Sequence, residues 1–582
     1  MSAARSRSGL MDARRLNFRF SGDGTRLACL SGGADLTVGL WRLTGDRPET
    51  VPVPVGGLTV STVPIPTGDD GVILCRIGEQ GTHRLALARP GKHGEAVARE
   101  LAVVRGDGLR SIPGPAAGPA GLAFVNDRHA TTVLRLTAGS GTSRVLCVVP
   151  GTLRGGVWLD ERGDRLAVRR DDTGRGAVLD LQTGELSALH DGLADTHLLC
   201  HAPRAGVSLV ATRFDDAYRI GLHREGEERA VFPDRLNRIE GVVTPLALEP
   251  GGRRAALAVT RGARSHLLLH DLAADTSEEI DLPPGTLLPV AAWSDGGLHV
   301  VHSTPDQPPH PVRVRNAAGR AAPRRPRLSP WIPARLMDVK AAEGTMEAVV
   351  YGRPEQCEHV VMALHGGPEA AWQLAFEPTL QRMALGDIAV VAPNQRGSTG
   401  YGPAHRDAIR GVWGGPDLAD VLALGRWLAR ARGADRPAPL LYGASYGAFL
   451  ALLAAAASPG LWSRVAVVAP FVSGPALYED GPPPVRALLD RLRGRDEILD
   501  ELGPRDLLRL AGHLDLPVLI VHGAEDPIIP VAHSRHLRDR LPDLTYLEIP
   551  GAGHDPLAEA GGDELRERVA GFLRGDPPRM AV

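Results

Sequence analysis

Residues 439–457 read Pro439-Leu440-Leu441-Tyr442-Gly443-Ala444-Ser445-Tyr446-Gly447-Ala448-Phe449-Leu450-Ala451-Leu452-Leu453-Ala454-Ala455-Ala456-Ala457. The apolar run before Gly443 is of strand type, and the run after Gly447 is a strong helix former. A serine on a sharp turn between a buried strand and a helix is held with its hydroxyl projecting above the sheet. The residues two before and two after must be small, or neighbouring backbones collide. Both are glycine here, so Ser445 is the candidate nucleophile.

Outward from this turn, apolar strands alternate with helical patterns. Arg335–Val339 and Met346–Tyr351 read as an opening antiparallel pair. His359–Leu364 is a buried strand ending in His365-Gly366-Gly367-Pro368, and Ile388–Pro393 is the next. A His-Gly-Gly loop at the end of a central strand is where such folds place an oxyanion-hole N–H, so Gly366 and Gly367 are candidates and His365 orients the loop. The Gly-rich stretch Asn394–Gly402 brings Tyr401, as a hydroxyl donor or a wall. Asp417 and Asp420 read as helix-cap and surface residues. Val465–Pro470 is a further core strand. Residues 471–512 lack a sheet pattern and read as a helical insertion over the site, with Phe471, Val472 and Tyr478 as pocket candidates.

Pro517–Gly523 is a strand leading to Asp526, and Leu544–Ile549 is the last strand, leading to His554. Both residues stand in turns after core strands, where a triad acid and a general base belong. The order Ser445, Asp526, His554 is that of the α/β-hydrolase fold. Among rivals, Glu525 precedes the turn position, Asp515 lies before the strand, His522 is within a strand and His533 is on the following helix.

The first half is different. Short β-type runs from about residue 15 to 320 are broken by Gly, Asp and Pro. A turn and strand pair recurs at Ser21–Ala28, Leu159–Val168, Leu248–Arg254 and Trp293–Val300. Gly252 and Gly297 are 45 positions apart, Gly163 and Gly252 are 89, and Gly24 and Gly163 are 139. A period near 45 with four short strands per unit predicts propeller blades. The span divides into close to seven, with six or eight left open. No catalytic cluster stands out here; His190, His197, His201 and His223 are scattered.

The reading divides the chain into an N-terminal arm (1–14), a β-propeller (15–320), a Pro- and Arg-rich linker (321–333) and an α/β-hydrolase domain of doubly wound, mostly parallel sheet (334–582). The 582 residues are too many for one core. A formal net charge of −2 gives no electrostatic case for nucleic acid or an anionic membrane. No uninterrupted apolar run reaches the roughly 18 residues of a membrane span. Met1–Arg15 is basic without an apolar core, which reads as a disordered arm and not a secretory signal. The five cysteines, Cys29, Cys75, Cys147, Cys200 and Cys357, are odd in number and far apart. Reduced thiols in a cytoplasmic protein fit best, and no metal or other cofactor is expected.

His365-Gly366-Gly367-Pro368, Asn394–Gly402, Trp413-Gly414-Gly415, the Ser445 turn, His522-Gly523 with Asp526, and Gly553-His554 together resemble the prolyl oligopeptidase family, nearest its acylaminoacyl-peptidase and dipeptidyl-aminopeptidase-like branch. The resemblance implies a serine peptidase whose propeller restricts entry to short peptides. Ser445 would be the nucleophile, His554 the general base and Asp526 its partner. The oxyanion donors would be the N–H of Tyr446 with that of Gly366 or Gly367, or the Tyr401 hydroxyl. Two positions depart: Gln395 stands where that loop usually carries Tyr, and Pro527 follows the acid where an Arg is common. The alternatives are an esterase or amidase for a specialised peptide-like substrate, and an inactive hydrolase used as a binding module. The expected partner is a short peptide, without nucleic acid or membrane; a homo-oligomer is possible.

Overall fold

The computed structural model describes residues 14–32, 36–45, 48–78, 81–91, 95–189, 196–214, 217–314, 329–559 and 562–577. The expected N-terminal arm lies outside the described residues except for Arg14. So do His190 and most of the expected linker.

Seven antiparallel sheets follow one another through residues 15–53, 63–105, 108–150, 153–188, 196–224, 242–280 and 286–314. Each is built from consecutive strands, four in five blades and three in the fifth and seventh. In the fifth, a single bridge from Leu222 to Val231 stands where a fourth strand would pair. The glycines that set the period owe their regularity to backbone geometry. Gly24, Gly163 and Gly252 sit at φ +68°, +83° and +66° in the turn between the first and second strands of their blades. That left-handed conformation costs glycine least.

Every seam between blades is an apolar cluster fed from both sides. Leu30 and Leu40 of the first blade meet Val72 and Leu74 of the second, and so on round the ring. The last seam sets Val301 of blade 7 against Phe18, Leu27 and Trp41 of blade 1. Arg15 and Arg313 donate across it to the carbonyls of Pro309 and Gly45, at 3.0 and 3.2 Å. Among the described residues no strand is exchanged between the first and last blades, and side chains close the ring.

The second unit is one eight-stranded sheet: β1 (Ala334–Lys340), β2 (Thr345–Tyr351), β3 (His359–Leu364), β4 (Ile388–Pro393), β5 (Leu440–Ala444), β6 (Val465–Val468), β7 (Val518–Gly523) and β8 (Leu544–Ile549). The order is β1-β2-β4-β3-β5-β6-β7-β8. β2 runs antiparallel to both of its neighbours, β1 and β4, and the remaining pairs are parallel. Both faces of the central strands are covered, which is why those parallel strands read as apolar runs, while the edge strand β8 keeps Thr545 and Glu548. The helices that matter for the site are α1 (Pro378–Leu385), α2 (Pro416–Arg432), α3 (Tyr446–Ala457), α4 (Gly474–Asp480), α5 (Pro483–Leu492) and α6 (Ala532–Arg538).

The propeller meets this unit through two hairpin turns. In blade 6, Gly262 N–H donates to Gly400 O (2.9 Å), Leu374 N–H to Ala263 O (2.7 Å), and Ala263 N–H to Glu347 Oε2 (2.9 Å). In blade 7, Ser303 Oγ accepts from Phe376 N–H (3.0 Å), and the buried Gln381 of α1 donates to Pro305 O (2.7 Å).

Candidate active site

The carboxyl ends of parallel strands share one edge of a sheet, where ligands of such folds bind. β3 delivers Gly366 to that edge, β5 delivers Ser445, β7 Asp526 and β8 His554. Ser445 sits at φ 54°, ψ −120° between β5 and α3. Such a conformation costs about 1–3 kcal/mol and persists only when its surroundings impose it. Here the Ser445 N–H donates to Val468 O at 2.8 Å. A Cβ at Gly443 would overlap the Gly447 carbonyl, and one at Gly447 would overlap those of Leu364 and His365. The two glycines therefore let the turn close and let the His-Gly-Gly loop pass beside it. A Cβ on Gly366 would stand 3.3 Å from Ser445 Cβ and 3.9 Å from its Oγ.

Asp526 and His554 are brought together: His554 Nδ1–H donates to Asp526 Oδ2 at 2.8 Å. Asp526 Oδ1 accepts the N–H groups of Ile528 and Ile529 at 2.8 and 3.0 Å. The acid side chain is wholly buried, while His554 is partly open. Burial alone would raise the carboxyl, but the bonds from His522 and His554 outweigh it and hold it well below the usual range. Gly523 ends β7 because the His554 loop crosses it: a Cβ there would overlap the carbonyls of Gly553 and Ala552. Glu559 holds the same loop by accepting the Gly553 N–H. Among the described residues, no hydrogen bond joins Ser445 Oγ to His554.

His365 is buried, with Nδ1–H donating to Gly366 O (2.7 Å) and Nε2 2.8 Å from Ser398 Oγ. Burial pushes its pKa down to about 4, which keeps it neutral. The Tyr401 hydroxyl is committed elsewhere. It donates to Glu347 Oε2 (2.8 Å) and accepts from Asn394 (2.6 Å), and the same Glu347 oxygen accepts Ala263 N–H of the propeller. Tyr401 thus belongs to the domain contact. Gln395 is buried, and its Oε1 has no hydrogen-bond partner among the described residues.

Tyr446, the first residue of α3, is buried and donates from its hydroxyl to Asp417 Oδ2 at 2.6 Å. The acids of α2 are neither cap nor surface residues. Asp417 is wholly buried behind the elbow, and Asp420, equally buried, accepts from Arg396 at 2.9 Å. The insertion after β6 is helical. Phe471 stacks on Phe449 (4.6 Å between ring centres) and lies 6.4 Å from the Tyr446 ring. Val472 is buried beside it. Tyr478 is half-buried, with the Arg495 guanidinium 4.3 Å above its ring.

A propeller joined to an α/β-hydrolase domain defines the class of the molecule. Residues 374–574, most of the α/β domain, match the model of the prolyl oligopeptidase family. Dipeptidyl peptidase family member 6 of Caenorhabditis elegans is 28% identical over 236 residues, which are 38% of this chain and 31% of the relative. Dipeptidyl aminopeptidase BIII of Pseudoxanthomonas mexicana is 27% identical over 233 residues, 38% of this chain and 34% of that one. Each alignment thus spans about a third of the curated relative. Acylaminoacyl peptidase of Pyrococcus horikoshii superposes with TM-score 0.72 at 15% identity, covering 98% of this chain and 96% of that one. At that identity the likeness is one of fold, and it extends through both units.

Proposed function

We propose that the protein is a serine peptidase that hydrolyses short peptides through an acyl-enzyme. The observation that carries this is the Asp526–His554 bond of 2.8 Å, formed on the sheet edge where the elbow presents Ser445. A carboxylate can only accept, so His554 carries its proton on Nδ1 and leaves Nε2 free as a base. His554 takes the Ser445 proton as Oγ attacks the scissile carbonyl, then returns it to the leaving amine. Water repeats the sequence on the ester and frees the acid. Asp526 keeps the productive tautomer and stabilises the imidazolium. The N–H of Tyr446, at the start of α3, has no helical partner and is the first oxyanion donor. The Gly366–Gly367 segment beside Ser445 supplies the second.

The two relatives described above are named as peptidases, which supports an amide substrate. The propeller, tied by two hairpins to the same loops, restricts entry. A Ser445→Ala protein is expected to lose at least about 10³-fold in turnover of a short peptide p-nitroanilide. Undiminished turnover overturns the assignment. The matched p-nitrophenyl ester separates a peptidase, which cleaves both substrates, from an esterase, which cleaves the ester alone.

A further inference from the structure

Strand-end placement sets His522 and His533 aside as general bases, yet both are buried next to the site. His522 lies one residue before the end of β7. Its Nε2 is 3.1 Å from Asp526 Oδ2 and 3.0 Å from Ile529 O. Both neighbours only accept, so Nε2 carries the proton and donates. Its Nδ1 is 2.6 Å from Ser534 Oγ, on α6, and takes the hydroxyl proton of that residue. The side chains of His522 and Asp526 are wholly enclosed. Asp526 Oδ2 is therefore shared by two histidines, His554 on the open side and His522 on the closed side.

We propose that His522 is a positioning residue for the catalytic pair. This rests on the serine-peptidase reading given above. The two backbone N–H groups on Oδ1 leave the carboxylate free to rock about their axis. The His522 N–H removes that freedom, so the second acceptor direction of Oδ2 is aimed at His554 Nδ1. A bond to a buried anion is stronger than one between neutral groups and costs more to leave unmade. Ser534 locks the tautomer, because an imidazole protonated only on Nδ1 would set a lone pair against the carboxylate. The residue of α6 just before Ser534, His533, accepts the Val472 N–H on Nδ1 at 3.3 Å. The helix thereby ties the acid to the segment that follows β6.

The test measures covalent labelling by a fluorophosphonate, which needs no knowledge of the natural peptide. The limiting rate kinact and the constant KI are measured for the whole protein and for H522F, H522Q and S534A. H522F is expected to lower kinact about tenfold or more with KI within about twofold. H522Q, whose amide N–H reaches the same oxygen, recovers most of the rate. S534A, which removes one oxygen and leaves the ring, shifts kinact in the same direction and decides the matter if H522F does not fold. Unchanged kinact in S534A and a folded H522F overturns the proposal. So does an H522Q as impaired as H522F with an undisturbed melting profile. A wild-type protein that does not label at all contradicts the serine-peptidase reading itself. A labelled wild type with indifferent variants contradicts only the role of His522.

Discussion

Asp417 shows how much of the site is decided by a single side chain far away in sequence. Its carboxylate holds the Tyr446 hydroxyl at 2.6 Å, and so fixes the residue whose N–H is the proposed oxyanion donor. Its other oxygen has no hydrogen-bond partner among the described residues. Burial, only partly offset by the Tyr446 bond, pushes its pKa up to about 6, against about 3.9 in an unfolded chain. The sign follows from linkage. Below about pH 4 both states are protonated and the group favours the fold; as pH rises through about 6 that contribution is lost. An Asn has no proton to lose and still accepts from Tyr446. D417N is therefore expected to match wild type near pH 4 and to be more stable above about pH 7, by on the order of 2 kcal/mol. Urea unfolding at the two pH values checks this; equal stability at both pH values contradicts it. Sequence reading takes Asp417 and Asp420 as cap and surface residues because Asp417 has the pattern of an acid in the first turn of a helix. What buries it is Tyr446, 29 positions on, packed against Trp413 and Phe471. No local signal carries that contact.

At the level of elements, the strand ends are the legible part. Ser445 and Asp526 can be read in sequence because an apolar run followed by a glycine-bordered turn marks the end of a parallel strand; His554 is read from its glycine-flanked turn, since its strand is interrupted by Thr545 and Glu548. Gly443, Gly447 and Gly523 are readable for the same reason: each stands where a second backbone crosses. Gly447→Ala would drive a methyl group into the carbonyls of Leu364 and His365. The expected cost is about 3 kcal/mol or more, seen as a lowered urea midpoint or loss of soluble protein. A fully stable Gly447→Ala protein would show that the elbow is not closed as described. Tyr401 is the instructive miss. Its glycine-rich loop reads as part of the site, but the loop also receives the blade 6 hairpin, and its hydroxyl goes to Glu347. A contact between units leaves no periodicity for sequence reading to find. His522 is a miss of another kind. Its place inside a strand rules it out as a base, and the same place puts it against the buried side of Asp526.

At the scale of the whole molecule, the glycine period near 45 corresponds to seven blades. It is legible because Gly24, Gly163 and Gly252 repeat one left-handed turn in three of the blades. The closure of the ring is not legible. It depends on Val301 meeting Phe18 and Trp41 across nearly the full length of the propeller. The docking of blades 6 and 7 on the hydrolase unit depends on individual hydrogen bonds, backbone to backbone in blade 6 and through Ser303 and Gln381 in blade 7. The ring rests beside the loops that carry Gly366 and Tyr401, which is the basis for its proposed role as a filter. The most direct measurement is cleavage of a peptide series of increasing length by the wild-type and Ser445→Ala proteins, with the products identified by mass spectrometry. Short peptides are expected to be cut by wild type, folded proteins and long chains to be spared, and every cut to disappear in Ser445→Ala. Cleavage that persists in Ser445→Ala, or that is indifferent to substrate length, would contradict the account.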